Sequence, residues 1–576
     1  MRRKPYFFIL LVLIISIVLI GYSLFIEYRE KPYDDYIFSV SIQVDNREMT
    51  IYPYQEGSTY FFLLPSYSRY ANTYIVKNKK HEISLNDIEL SSRNIISDFE
   101  ENTSYKILDN NEDMGNLIIM FGSDIPTLYI ETNSGNPDRI MDDRDIQEPA
   151  SLTIINNGKV DYHESIEYIS SRGNHSWYYE KKSLGFKLVE NASLLGMKSY
   201  DRWILTSNMF DDTMGLRNYI AYNMANEIGM KETSDFRFVD VYLDKMYQGT
   251  YLLFERIGQS KEKLDIGDLD LLNNKANDTI EISKLKPVQE FNTESEFPDE
   301  SYRNFNSPKD ISGGYIIERN ALGKTGGKEN LFTTSYGETF VIRYPSFVNK
   351  EEKEYIENIV EIVNRALHAD DYIDPITKKK LDEIIDVESF VLKYLIDEVT
   401  KNEGAGATSA YYYKKQGDDK LYAGPVWDYD KSLGRYYEWA HPDGIANAML
   451  YKYDTPSDWY DKLYNNSEVK ELIIKYYKER IKPFLDLLDG DYIEKQADVI
   501  RNSYAMNYIV WEHVYFRDDY SLPYDLYEHV GDLDYSINYI KWWVQEREDF
   551  LDKEWKVNDE HKWYLFISHI LWIWIM

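Results

Sequence analysis

The chain contains no cysteine. Disulfides, thiol nucleophiles and cysteine-ligated zinc are therefore excluded. Positive charge is also in short supply: 65 lysines and arginines face 98 aspartates and glutamates, a formal net charge of −33 over 576 residues. Phosphate backbones would be repelled over most of such a surface, which excludes nucleic acid as a partner. Internal repeats are absent, and long apolar runs occur only at the two ends. Tyr6 to Ile26 is uncharged and almost wholly apolar, and it follows the basic residues Arg2, Arg3 and Lys4. As a helix it would be about 31 Å long, enough to cross a bilayer core. The expectation is a cytoplasmic basic tip at 1–5 and a single-pass transmembrane anchor at 6–26. All that follows Glu27 would then lie outside the cell membrane. No small-x-small cleavage site follows the run, so it reads as retained. The tail at 561–576 is apolar too, but short for a span and interrupted by His569; it reads as a buried or interfacial helix.

What the chain does have is apolar mass. It is 43% hydrophobic and 15% aromatic with 53 tyrosines, ample for a packed core. Residues 27–124 read as a small β-rich extracytoplasmic module, with a hairpin signal where Ile37–Val44 alternates, Asp45-Asn46 punctuates and Met49–Tyr52 resumes. Residues 125–560 read as the main domain. Its first half is strand-rich, with two strands expected in Phe238–Glu255 around Asp244-Lys245-Met246 and a helix at Arg217–Ile228. Residues 270–310, acidic and rich in Asn and Ser, read as a mobile insertion. The second half is helical, with patterns at Ser467–Ile481, Tyr492–Tyr508 and Ser536–Lys556; Pro483 is expected to close the first. The fold class is α+β.

The stretch from Tyr411 to Gly434, YYYKKQGDDKLYAGPVWDYDKSLG, carries the strongest chemical signal. It reads as strand, polar turn, strand. On a continuing strand Asp428 and Asp430 would point to one face, and two such carboxylates repel each other unless a cation of the Mg2+ or Mn2+ type sits between them. Upstream, Arg172-Gly173-Asn174-His175 begins a loop that runs on to Lys181, Lys182 and Lys187. It concentrates backbone N–H groups and positive charge in a manner suited to phosphates. Asn208, Asp211 and Asp212 lead to Arg217 at a helix start, where Asp and Thr are ordinary caps. Glu255 ends an apolar strand and needs a cationic partner. Gly313–Glu318 and Phe340–Pro345 complete the constellation.

In this order the motifs RGNHSW with KKSLGFKL, WILTSN with LRN, VDVYLDKMYQGTYLLFERI, GGYIIE with VIRYP, and KNEGAGATSAYYYKK with GPVWDYDKSLG resemble the CotH family of atypical protein kinases of spore coats and secreted proteins. The resemblance implies a divergent two-lobed kinase-like core that uses ATP and Mg2+ or Mn2+ to phosphorylate Ser or Thr on exported proteins. It implies Asp428 as metal ligand with Asp430 beside it, and Arg172 and Asn174 on the phosphate loop. Lys182 or Lys181 would contact phosphate, with Glu255 orienting that lysine and Arg217 among the nucleotide-binding residues. Asn402 opens the segment that in relatives reads N-x-D, where the aspartate is the catalytic carboxylate. Here that position holds Gly404, so the base role passes to Glu403 or is absent. Ser171 also replaces a glycine, and one residue is inserted between Asp212 and Arg217. Three functions compete on this evidence: a membrane-anchored extracytoplasmic kinase, a catalytically impaired scaffold of the same fold, and a nucleotide-sugar transferase using WDYD as its metal motif.

Overall fold

The computed structural model describes residues 36–173, 175–230, 232–291, 298–320, 330–402, 404–435, 446–450, 458–515, 529 and 531–557. The expected anchor at 6–26, the apolar tail, Asn174 and Glu403 lie outside the described residues. Among the described residues no helix is long and apolar enough to cross a membrane. The chain divides into two compact units, Met1–Phe121 and Gly122–Met576.

The first unit is two sheets. One has the order β2-β1-β5-β8, from β1 (Phe38–Val44), β2 (Arg47–Ile51), β5 (Asn72–Lys77) and β8 (Arg93–Ile95). The other has the order β3-β4-β10-β9-β6-β7, from β3 (Tyr54–Glu56), β4 (Thr59–Leu64), β6 (Ile83–Leu85), β7 (Ile88–Glu89), β9 (Ser104–Asp109) and β10 (Glu112–Phe121). The expected hairpin is present: Asp45 and Asn46 both have positive φ, the backbone twist that a two-residue turn between right-twisted strands needs.

The second unit opens with a closed barrel of seven strands: β11 (Thr127–Thr132), β12 (Glu148–Asn156), β13 (Lys159–Arg172), β14 (Ser183–Ala192), β15 (Tyr200–Thr206), β16 (Phe236–Leu243) and β17 (Met246–Glu255). Its order is β11-β12-β13-β14-β15-β17-β16, closed by the parallel pairing of β11 with β16. Alternating residues such as Leu128, Ile154, Phe186, Trp203, Val241 and Leu253 form its own buried core. β16 and β17 are buried on both faces, because Phe236, Phe238, Leu252 and Phe254 turn outward into a second, larger core. That core joins helix Leu216–Glu227 to a seven-stranded sheet and the C-terminal helices. The sheet runs β18-β19-β21-β22-β20-β23-β24, from β18 (Pro287–Glu290), β19 (Glu300–Arg303), β20 (Tyr315–Asn320), β21 (Leu331–Thr333), β22 (Thr339–Tyr344), β23 (Ala410–Lys414) and β24 (Leu421–Ala423). The architecture is mixed α+β.

The turn at Asp244-Lys245 and the strand–turn–strand at 410–423 stand where expected. Three expectations are corrected. The described residues of 270–310 contribute most of helix Leu269–Ala276, the edge strand β18 and its neighbour β19 to the sheet region. Arg303 secures the stretch by donating to the carbonyls of Ile282 (2.8 Å) and Ser283 (2.5 Å). Pro483 closes nothing: helix Ser467–Tyr476 passes through a π turn at Tyr477–Ile481 into helix Lys482–Asp489, with Pro483 in the first turn of the latter. Buried Ile481, Phe484, Leu485 and Leu488 hold the continuation against the core. Finally, the strand does not continue through WDYD; β24 stops at Ala423.

Candidate functional site

A cavity of about 1060 Å³ opens between the barrel and the seven-stranded sheet. The barrel side supplies Arg172 and Gly173 from the end of β13, Phe254 from β17, and Thr206 to Phe210 from the segment after β15. The sheet supplies Glu318 and Asn320 on β20, Arg343 on β22 and Tyr411 on β23. The floor comes from Asn402, Gly404, Ser409, Trp427, Asp428 and Asp430.

Asp428 and Asp430 do share the cavity, but for a different reason than strand alternation. Asp428 has φ +71, a left-handed residue in an irregular segment. Between the two acids Tyr429 points inward and is fully buried: its N–H donates to Asn218 Oδ1 (2.8 Å) and its hydroxyl to Asp397 Oδ1 (2.5 Å). Pinning Tyr429 from both ends leaves its neighbours facing the cavity. Ser409 donates to Asp428 Oδ2 (2.9 Å), and the Asn402 side chain donates to the Asp428 carbonyl (3.2 Å). Burial, and then the Asp428 carboxylate, push the Asp430 carboxyl up to about 8. Tyr222 lies against both acids, and its phenol is raised well above its usual value, by burial first and then by Asp428.

Among the described residues no group of three acidic or histidine side chains gathers as a ligand cluster. A divalent cation would find two carboxylates here with the amide of Asn402 beside them, all hard oxygen donors. Such a set suits Mg2+, which keeps several waters and takes one or two carboxylates. The crowding that raises Asp430 is what a cation would relieve, so the residues fit.

The other expected residues are placed as follows. Arg172 lines the cavity 5.7 Å from the Trp427 ring centroid. Gly173 has φ +127, and a Cβ there would stand 2.4 Å from Ser176 Oγ, so the loop can turn only with glycine. Lys181 is not in the cavity: it is fully buried, donating to Thr250 O and Asn507 Oδ1 (both 2.7 Å), with burial bringing its ammonium down to about 7. Gly249 makes room for it, since a Cβ there would meet Asn507 Oδ1 at 2.3 Å. Lys182 donates to the Trp177 carbonyl and lies over its ring. Glu255 is fully buried and pairs with Lys263 (3.4 Å), not with either of those lysines. The expected lysine–glutamate pair is therefore corrected: the strand end turns Glu255 toward the segment that follows it. Arg217 is also withdrawn from the cavity, because it is fully buried between Asp211 (2.7 Å) and Asp212 (2.6 Å).

Sequence reasoning gave no role to Glu318, Arg343 or Asn218, all of which line the cavity. Glu318 and Arg343 stand in two of the motifs already quoted, on neighbouring strands β20 and β22, and they form an ion pair. An acid and a base at the ends of two apolar strands were the available signal.

The family model described as CotH kinase protein matches residues 169–551, well over half the chain. Of the cavity residues only Arg144 and Asp145 fall outside that span. No curated protein matches the chain.

Proposed function

The chain belongs to the CotH kinase family, and on that premise we propose that it is a metal- and ATP-dependent protein kinase acting on Ser or Thr of exported, envelope or spore-coat proteins. The barrel and the sheet with its helices would be the two lobes of a kinase-like core, and the 6–26 stretch its membrane anchor. One observation carries the reading: a single cavity is lined by both aspartates of WDYD and by Arg172 and Arg343. Phosphoryl transfer needs little covalent help from a protein. It needs a cation bridging phosphate oxygens, fixed positive charge, and an acceptor hydroxyl held in line.

In this reading Asp428 and Asp430 would hold the Mg2+ or Mn2+, which supplies charge neutralisation at the transferred phosphoryl group. Asn402, by bonding the Asp428 carbonyl, fixes the left-handed backbone that aims the carboxylate. Trp427 and Phe254, packed 5.7 Å apart, wall the cavity with apolar surface. The test is transfer of labelled γ-phosphate from ATP to a mixed protein substrate, with and without magnesium. Metal-dependent transfer that Asp428→Asn abolishes supports the kinase; transfer from a nucleotide sugar and none from ATP refutes it.

Gly404 favours a second reading, the impaired scaffold. It lines the cavity where relatives carry the catalytic aspartate. A Cβ there would meet Thr408 Oγ1 at 3.1 Å and the Thr408 carbonyl at 3.2 Å, close enough to need a shift of a few tenths of an ångström. Gly404→Asp is thus a feasible repair. A gain in transfer on the order of 10²-fold, the usual scale of acid–base assistance, would mark the natural chain as impaired. No gain would show that transfer runs without a carboxylate at that position.

A further inference from the structure

Backbone strain gathers around Asp428. Lys401 (φ +50), Ser409 (φ +55), Asp428 (φ +71) and Leu433 (φ +50) are all left-handed, and none is glycine. Ser409 donates to the Asp428 carboxylate, and Lys401 precedes the Asn402 that bonds its carbonyl. The Leu433 N–H donates to the Thr400 carbonyl (2.8 Å) at the end of helix Val387–Thr400. Such conformations cost energy at each residue and persist only where their surroundings over-determine them. The helix end is the common support. Its last turn carries Asp397, which anchors Tyr429, and beside it Glu398.

Glu398 leads to Arg547, a fully buried side chain on helix Leu533–Glu554 that stands outside the cavity. Every N–H of its guanidinium is used. Nε (3.2 Å) and Nη2 (2.6 Å) donate to the Glu398 carbonyl, Nη2 also to Glu398 Oε1 (2.5 Å), and Nη1 to the carbonyls of Ala446 and Ala448 (both 2.7 Å). The Glu398 carboxylate is itself held by the Leu450 N–H (2.9 Å) and the Tyr394 hydroxyl (2.7 Å). Tyr539, earlier on the same helix as Arg547, donates to the carbonyl of Gly434 (3.2 Å), next to Leu433. A helix C-terminus leaves carbonyls unpartnered and carries partial negative charge, and a guanidinium answers both. Stopping the helix would need only a glycine. A buried arginine with every donor spent does more, because it holds the helix end in one place.

We propose that Arg547 is a positioning residue of the cation site: it fixes the end of helix Val387–Thr400, and through that end the Asn402 side chain that bonds the Asp428 carbonyl. The proposal rests on the reading that Asp428 holds the divalent cation, and it adds to that reading a residue that touches neither cation nor nucleotide. Its effect is on direction. The N–H groups of Lys401 and Asn402 both return to the Asp397 carbonyl, one residue before the carbonyl that Arg547 holds. A slip of that turn moves the Asn402 amide off Asp428, and misplacement by about 1 Å costs a rate on the order of 10²-fold. Lysine cannot stand in for Arg547, since it offers a point charge on a flexible stem in place of a planar fork.

The experiment follows Mn2+ binding to the full-length chain by the electron paramagnetic resonance signal of the free ion. Wild type, Arg547→Lys, Asn402→Ala and the double variant are compared below the lowest of their melting temperatures, so that only folded protein is read. Each single substitution is expected to weaken Mn2+ binding about tenfold, the scale of one lost orienting hydrogen bond. Because Arg547 acts through Asn402, the losses overlap, and the double variant should stay well short of the product of about a hundredfold. Wild-type affinity in Arg547→Lys overturns the proposal. So does a double variant weakened by the full product, which marks Arg547 as a support of the fold that acts independently of Asn402. Should Arg547→Lys fail to fold, Glu398→Gln takes its place: it keeps an oxygen for the Leu450 N–H and removes the charge that Arg547 answers. A loss of about threefold that vanishes in the Asn402→Ala background supports the proposal, and no loss overturns it. The two readings fail separately. Mn2+ binding that depends on Arg547, with no phosphoryl transfer by wild type, sinks the kinase and leaves the positioning role. Mn2+ binding that Asp428→Asn abolishes and Arg547→Lys leaves alone sinks the positioning role only. A wild type that binds no Mn2+ contradicts both.

Discussion

Two pairs of aspartates in this molecule have nearly the same spacing in sequence and opposite circumstances. Asp211 and Asp212 are buried, and both are paired with Arg217 inside the chain. Asp211 accepts from the Thr213 N–H (3.0 Å) and hydroxyl (2.5 Å), from the N–H groups of Gly215 (3.1 Å) and Arg217 (3.2 Å), and from the Arg217 guanidinium. It thereby caps helix Leu216–Glu227, whose N-cap Gly215 has no side chain to do so. Asp212 is held below the usual carboxylate range by Arg217 and Arg435, which outweigh the burial that pushes it up. Asp428 and Asp430 face a cavity and each other, and burial with like charge pushes Asp430 up to about 8. Acids whose donors are all inside the chain hold the fold together. Acids that crowd one another on a cavity wall are where a cation could be held.

The largest expected effect lies on the cavity side. Asp428→Asn should reduce phosphoryl transfer on the order of 10³-fold while leaving the melting temperature in place, as measured by labelled-phosphate transfer and scanning calorimetry. Asp211→Ala is the mirror case. It should cost about 1–3 kcal/mol of unfolding free energy in denaturant titration, because it removes the cap of that helix and one of the two carboxylates that hold Arg217. An Asp211→Ala chain as stable as wild type would erase the distinction drawn above.

Asp430→Asn should stabilise the metal-free chain by about 1 kcal/mol, since it removes one of two mutually repelling carboxylates. The smallest effect concerns Asp240, which asks whether neutral donors can do what arginines do. It accepts from the hydroxyls of Ser503 (2.6 Å), Thr250 (2.9 Å) and Tyr247 (3.0 Å), yet burial outweighs all three and raises it to about 6. The folded state therefore holds this proton more tightly than the unfolded chain. Its contribution to stability is full below the ordinary aspartate range, near 4, and falls as pH rises toward about 6. Asp240→Asn should flatten that part of a stability–pH profile; an unaltered profile would show that the three hydroxyls suffice.

Much of this was legible in the sequence, and the limits have physical causes. Hairpins and amphipathic helices announce themselves because their signals are local: Asp244-Lys245 both take the positive φ that their turn requires, and Ile220 and Met224 are buried one turn apart. WDYD was located by its carboxylates. The reason they share a cavity, the two-ended anchoring of Tyr429 by Asn218 and Asp397, lies 211 and 32 residues away and leaves no local trace. The same holds for the partners of Lys181 and Glu255. Lys181 lies beside a loop that suits phosphate, but Asn507, 326 residues on, determines its direction. Sequence supplies the charges, and long-range packing decides which are spent inside the fold. Arg343 was overlooked because it lies at the end of an apolar strand, where a terminal arginine ordinarily reaches solvent.

The most direct test of the account is calorimetric titration of ATP with magnesium into the full-length wild type and Asp428→Asn chains under identical conditions. The account predicts binding to wild type that requires the metal, and its loss in the variant with the fold intact. Binding of equal strength to both chains, or none to either, would contradict a metal–nucleotide site built on Asp428.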